Sequence, residues 1–224
     1  MLAHQTDCSF ITYNIRSTSS KISKLQEEKV NPQTFLALAT LNDLKSAAYD
    51  ALAKRHKMPA LLLFYSFIDI CATLAKEGDG KITNQDRFKN YLIKYHHSQW
   101  THYSPYDLWA ARSSLLHAYS PLGDHAARPN PPKMIFYYSW PEKRETVHAA
   151  ISERGYDNFY LMDTNDIKMI ANDSFNTLWR RVEEDEAFEL QFRSNANHLL
   201  RDFNYIQLEN ELNFLNELKK DIEQ

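Results

Sequence analysis

In one stretch of this 224-residue chain, Y-D-L-W-A-A-R-S-S-L-L-H-A-Y-S-P from Tyr106 to Pro121, an arginine, a histidine and a tyrosine stand close together, residue types able to hold an anion, move a proton and place a ligand. Arg112 carries a planar fork that stays charged at any working pH and matches two phosphate oxygens at once. His117, five residues on, belongs to the one residue type whose ordinary pKa lets it move a proton near neutrality. On a helical wheel of about 100° per residue, Leu108, Trp109, Leu115, Leu116 and Tyr119 all fall within about 60° of Arg112. The guanidinium therefore sits in the middle of an apolar stripe. Because it cannot be neutralised, that stripe must face a carboxylate, an anionic ligand or another subunit. His117 lies about 140° round the wheel, beside Ser113 and Ser114. Pro121 disfavours helical geometry at Ser120, so His117 is expected in the last turn, among carbonyls that favour its protonated form.

Other residues invite the same question. Asp69, in an apolar stretch, shares a stripe with Tyr65, Ser66 and Thr73. It reads as a partly exposed polar edge, as a structural partner for some arginine, or as the group that orients Arg112. A second R-x4-H match, Arg193 to His198, has Leu200 in place of the tyrosine and a polar interior, R-S-N-A-N-H. It is taken as a coincidence of spacing. His96, His97 and His102 form a histidine-rich connection, but neither carboxylate nor cysteine completes a regular zinc spacing, so a solvated loop is expected and no metal is assigned. The acidic run from Glu183 to Glu186 reads as a solvated helix face, since adjacent carboxylates on a helix point in different directions. The chain holds no P-loop, no dinucleotide fingerprint, no H-E-x-x-H and no G-x-S-x-G.

The run R-S-S-L-L-H-A-Y over Arg112, His117 and Tyr119 resembles the R-x4-H-x-Y motif of the HEPN superfamily, the higher eukaryotes and prokaryotes nucleotide-binding domains. The flanking L-W-A-A-R and L-L-H are similar to that family's motif helix. Chance would supply about 0.03 matches with all three residues in a chain of this composition. The resemblance covers residues 31–125 and implies an antiparallel helical bundle. It also implies a metal-independent endoribonuclease that needs no cofactor and cuts RNA at a homodimer interface, as toxins or defence components do. Arg112 would hold the phosphate, His117 would move the proton, and Tyr119 would place substrate or be modified by a nucleotidyltransferase-type antitoxin partner. Many active members carry asparagine, aspartate or histidine directly after the arginine, where this chain has Ser113. A non-catalytic helical module for binding or dimerisation is the alternative.

The elements that must position these residues follow from hydrophobic spacing. A low glycine content and a high aromatic share argue for extensive helix and few tight turns. Helices are expected from Asn31 to about His56, from Pro59 to the glycines at 78 and 80, from Thr83 to about Tyr95, and over the R-x4-H stretch. The second of these is apolar enough to be the central core helix. Four prolines and a glycine between Pro121 and Pro132 place a boundary there. Beyond it, K-M-I-F-Y-Y-S-W reads as a strand and residues 142–154 as a short helix. N-F-Y-L-M-D and I-K-M-I then read as a hairpin, followed by a helix capped by Asp173 and Ser174. The expected organisation is thus an arm over residues 1–30, a bundle over 31–125, and an α+β segment over 126–224 ending in an amphipathic helix suited to docking or dimerisation.

Charge is uneven along the chain. Residues 41–128 carry eleven basic and eight acidic groups and six of the nine histidines, while residues 129–224 carry eleven basic and eighteen acidic groups. The mildly basic middle suits contact with phosphate. Two cysteines, Cys8 and Cys71, make no disulfide framework. The start of the chain lacks a basic region followed by an apolar core, and the longest apolar run, Pro59 to Phe64, is far below the roughly 20 residues of a membrane span. A cytoplasmic protein is the expectation.

Overall fold

A computed structural model of the chain describes residues 31–78, 80–96, 100–118, 130–138 and 141–199. The chain is mainly α. Helix α1 spans Pro32–Ala53, α2 Lys57–Leu74, α3 Asn84–Tyr95 and α4 Pro105–Ala118. Strand β1 (Met134–Tyr138) follows, then a 3-10 turn (Pro141–Lys143), α5 (Arg144–Ser152), β2 (Phe159–Asp163) and α6 (Thr164–Glu184). A last helix, α7, runs over residues 186–199.

Several of the helices start where a side chain satisfies backbone donors that the first turn leaves unpaired. Asn31 accepts from the Gln33 amide at 3.0 Å and is followed by proline at the first helical position of α1. Thr83 accepts from the Asp86 amide at 3.1 Å at the start of α3. At α4 the box is reciprocal, with the Asp107 amide donating to Ser104 Oγ at 3.2 Å and the Ser104 amide donating to Asp107 Oδ2 at 2.7 Å. The other Asp107 oxygen accepts from the Lys133 amide at 2.6 Å, so one buried carboxylate ties the start of α4 to the entry of β1.

Helix α2 is the hub, packed against α1, α3, α4 and α6. Its Phe64, Tyr65, Phe67, Ile68 and Cys71 are buried on several sides, as its all-round apolar content requires. By length and composition alone this helix could cross a bilayer, and half of that window is buried inside the molecule. The core is continuous across both expected segments, joining Leu41 of α1, Leu92 of α3, Leu108 of α4, Met162 of β2, Ile167 and Ile170 of α6 and Phe192 of α7. The strands pair in parallel, with Ile135 opposite Tyr160 and Tyr137 opposite Met162, and α5 provides the crossover. Alternation then sends Ile135, Tyr137 and Met162 toward the bundle. Phe136 packs on the other face with Phe159 and Tyr156, and His148 of α5 meets Phe159.

The structure corrects two readings. N-F-Y-L-M-D does form a strand, but I-K-M-I is helical, and the sheet is a parallel pair bridged by α5 instead of a hairpin. Nor do Asp173 and Ser174 start a helix: α6 begins ten residues earlier, at a capping box between Asp163 and Asp166. Ser174 is buried in mid-helix, where its hydroxyl donates to the Ile170 carbonyl at 2.7 Å. The physical reason is spacing. Ile167, Ile170, Ala171, Ser174, Leu178 and Val182 form one unbroken face at helical intervals, and a four-residue apolar run is ambiguous until that longer face is counted. The expected arm over residues 1–30 and the terminal amphipathic helix lie outside the described residues.

Candidate functional site

Arg112 projects from the third turn of α4 toward α2. There Asp69 Oδ2 accepts from its Nε at 2.7 Å and lies 2.5 Å from its Nη2. The guanidinium also lies over the Trp109 ring, 4.9 Å from the centroid, and that ring packs against Phe88 of α3 at 5.5 Å. Three helices thus meet at one ion pair. Their spacing explains why. Trp109 and Arg112 are three residues apart on α4 and hence neighbours on its surface, while Leu108, Ala111 and Leu115 anchor the adjacent face in the core. Of the three partners the stripe allowed, the one seen is a carboxylate of the same chain.

The pair is only partly enclosed, with Arg112 20% and Asp69 22% exposed as side chains, which leaves it within reach of a ligand. Burial pushes the Asp69 carboxyl above its ordinary range, while bonded Arg112 and the more distant charge of Arg87 pull it down. The group is therefore held between two opposing influences. An anion competing for Arg112 would have to displace part of this pairing.

The remaining candidates fall as follows. Ser113 is partly exposed beside Arg112, and Ser114 is buried. His117 lies in the last turn of α4, which ends at Ala118, so it is about 7.5 Å along the axis from Arg112. Tyr119 lies outside the described residues. The structure thus brings together Asp69, Arg112 and Trp109, with Ser113 adjoining. In the rival stretch, Arg193 lies 4.0 Å from Glu189 on its own helix, and His198 is exposed. Asn195 donates to the carbonyls of Leu74 and Lys76 at 3.0 and 2.8 Å, which caps the end of α2.

Of the histidines before α4, His96 is buried with Nδ1 4.0 Å from Asp173 Oδ2, and His102 is exposed and stacked on Tyr160. His97 lies outside the described residues. No group of three His, Cys, Asp or Glu side chains converges for a metal among the described residues. In the acidic run, Glu183, Glu184 and Glu186 are exposed, while Asp185 accepts from the Phe188 amide at 3.0 Å at the start of α7.

Two features of the site escaped sequence reasoning. The Ser104–Asp107 box that orients α4 is written in the sequence as S-P-Y-D and was legible as a cap. The buried hydroxyl pair of Tyr65 and Tyr137, which joins α2 to β1, left no local signal because its members are 72 residues apart. No protein-family model, no curated protein and no solved structure matches the chain.

Proposed function

We propose that this chain is a metal-independent endoribonuclease of the HEPN type, working as a cytoplasmic toxin or defence component. The observation that carries the reading is the arginine of R-x4-H-x-Y, held in a definite orientation by Asp69 and Trp109 at the partly open junction of three helices. In this reading α1 to α4 form an antiparallel HEPN-like bundle, and the substrate is single-stranded RNA. The RNA supplies its own nucleophile. Its 2′-hydroxyl attacks the adjacent phosphorus, the bond to the 5′-oxygen breaks, and the products are a 2′,3′-cyclic phosphate and a 5′-hydroxyl. Arg112 neutralises charge on the non-bridging oxygens, and Asp69, by occupying the Nε edge, presents the rest of the fork to the phosphate. His117 carries the proton between the attacking and leaving oxygens. Tyr119, on the Arg112 side of the wheel, places substrate and is the residue a nucleotidyltransferase-type partner would modify.

A second reading has its own support. Ser113 follows the arginine, and Arg112 is already neutralised within the chain. Both suit a helical module that binds or dimerises without cutting.

Cleavage separates the two. Wild-type protein incubated with unstructured RNA in excess chelator is expected to leave 2′,3′-cyclic ends. His117→Ala should lose on the order of 10²–10⁴-fold in rate, the usual contribution of a positioned acid or base. His198→Ala, at the rival spacing, should keep full activity. Folded, dimeric wild type inert on every RNA tried would overturn the cleavage reading in favour of the binding module, and loss confined to His198→Ala would mean that the other arginine–histidine pair is the site.

A further inference from the structure

Just before α4 the chain presents a run of touching rings with no part in the ion pair. Trp100 meets Tyr103 edge-on at 5.8 Å, Tyr103 meets Tyr160 of β2 at 5.0 Å, and Tyr160 is stacked on His102 at 5.9 Å with an interplanar angle of 8°. A ring cluster that serves only to fill a core is buried. Here Trp100, Tyr103 and Tyr160 are partly exposed, and His102 at the end of the run is exposed. The segment is also held rigidly. The Ser104–Asp107 box fixes its exit into α4, Asp107 clamps the Lys133 amide, and the Lys133 ammonium donates to the His102 carbonyl at 2.5 Å. The charges near the rings are mixed. Arg144 and Asp166 both act on Tyr160, and Asp166 is engaged as the cap of α6, accepting from the Asp163 amide at 3.2 Å. Lys133 adds a cation beside His102.

We infer that Tyr103, Tyr160 and His102 form a stacking platform for unpaired bases of the RNA strand whose phosphate is held at Arg112. The inference rests on the RNA-cleavage reading for the position of that phosphate. Every base has a π face, so a rigid, partly exposed run of rings beside a fixed ammonium accepts bases without reading their sequence. Position supports the link. From Pro105 at the start of α4 to Arg112 is about 10 Å along the helix, the length of about three stacked nucleotides at 3.4 Å each. Along α2, Tyr65 packs against Tyr137 at the ring end, and Asp69 lies one turn further on. The start of α4, which directly follows the rings, and the ion pair are thus within the reach of a single short strand.

The test is anisotropy of a fluorescent, unstructured oligoribonucleotide, titrated with the full-length protein in chelator, together with steady-state cleavage of the same RNA. His102→Ala and Tyr160→Leu, each checked for fold by circular dichroism, are expected to weaken binding roughly tenfold, with the cleavage loss falling on KM. Tyr160→Phe, which keeps the ring and loses the hydroxyl, should restore most of the affinity lost in Tyr160→Leu. An RNA carrying abasic positions should bind wild type as weakly as the variants bind intact RNA. Cleavage with affinities unchanged in both variants, or abasic RNA binding like intact RNA, would overturn the platform and leave the cleavage reading standing. Ring-dependent binding without cleavage would uphold the platform and overturn the cleavage reading. Wild type that binds no RNA would overturn both.

Discussion

The two members of the Arg112–Asp69 pair are not equally dispensable, because only one of them can shed its charge. In Asp69→Ala a partly buried guanidinium is left without a carboxylate and cannot deprotonate. We expect a loss of about 1–3 kcal/mol in urea unfolding, below the cost of breaking a fully buried pair. Arg112→Ala leaves a carboxyl whose pKa burial already raises, and which becomes neutral by taking up a proton. It should cost less than Asp69→Ala and should alter activity more than folding. The sign of its pH dependence follows. A carboxyl whose folded pKa lies above its unfolded value retains its contribution below the unfolded pKa and loses it as pH rises through the folded one. Arg112→Ala should therefore come closest to wild-type stability in acid, and equal losses in the two variants at neutral pH would refute the asymmetry.

At the scale of elements, the end of α2 is held by a second charged junction far from Arg112 in sequence. Glu77 accepts from Lys94 of α3 and from Arg181 of α6, whose Nη1 also donates to the Tyr95 hydroxyl at 2.8 Å. The Arg181 guanidinium lies 4.0 Å from the centre of the Phe188 ring of α7. Four helices thus converge near one carboxylate, and the Arg181 hydrogen bond, reinforced by Lys94, holds that carboxyl down at about 2 from an ordinary 4.5. A depressed folded pKa gives stability that is complete above the unfolded value and disappears as pH falls through the folded one. The melting-temperature difference between wild type and Glu77→Gln should be full above pH 4.5 and close to zero by about pH 2. With Glu77 half exposed the effect is modest. A difference that stays constant over this range would show that the junction contributes no charge-dependent stability.

The whole molecule bears on whether one chain can do the chemistry. Asp69 satisfies Arg112 within the protomer, so an unmet charge no longer argues for a partner. What remains is geometry. Arg112 and His117 stand about 140° apart on one helix, and a two-fold pairing of α4 helices would bring the arginine of one protomer to the histidine of the other. Light scattering at micromolar concentration should report a dimer. A mixture of Arg112→Ala and His117→Ala protomers, each inactive alone, should regain roughly a quarter of wild-type cleavage, because half the molecules would be mixed dimers with one intact site. A monomer, or a mixture as inactive as its parts, would place both residues in a single-chain site.

The first four helices were legible in sequence to within a few residues, as were the first strand and the burial of α2, because each depends on local spacing and on caps a few residues long. Asp69 was marked by its charge in an apolar stretch, and Arg112 by its place in the stripe. Local pattern left Asp69 between an exposed edge, an unspecified arginine and Arg112, and Arg112 between a carboxylate, an anionic ligand and another subunit. Only the packing of α2 on α4 chose between them, by placing side chains 43 residues apart within hydrogen-bonding distance. The helical state of the I-K-M-I run was written in spacing too, but only in a longer window that includes Ser174, Leu178 and Val182. Packing also joined Tyr65 to Tyr137 and set Tyr103 and His102 against Tyr160. These are contacts of high sequence separation, which no window of neighbouring residues contains, and they form only when burial brings distant segments into one core.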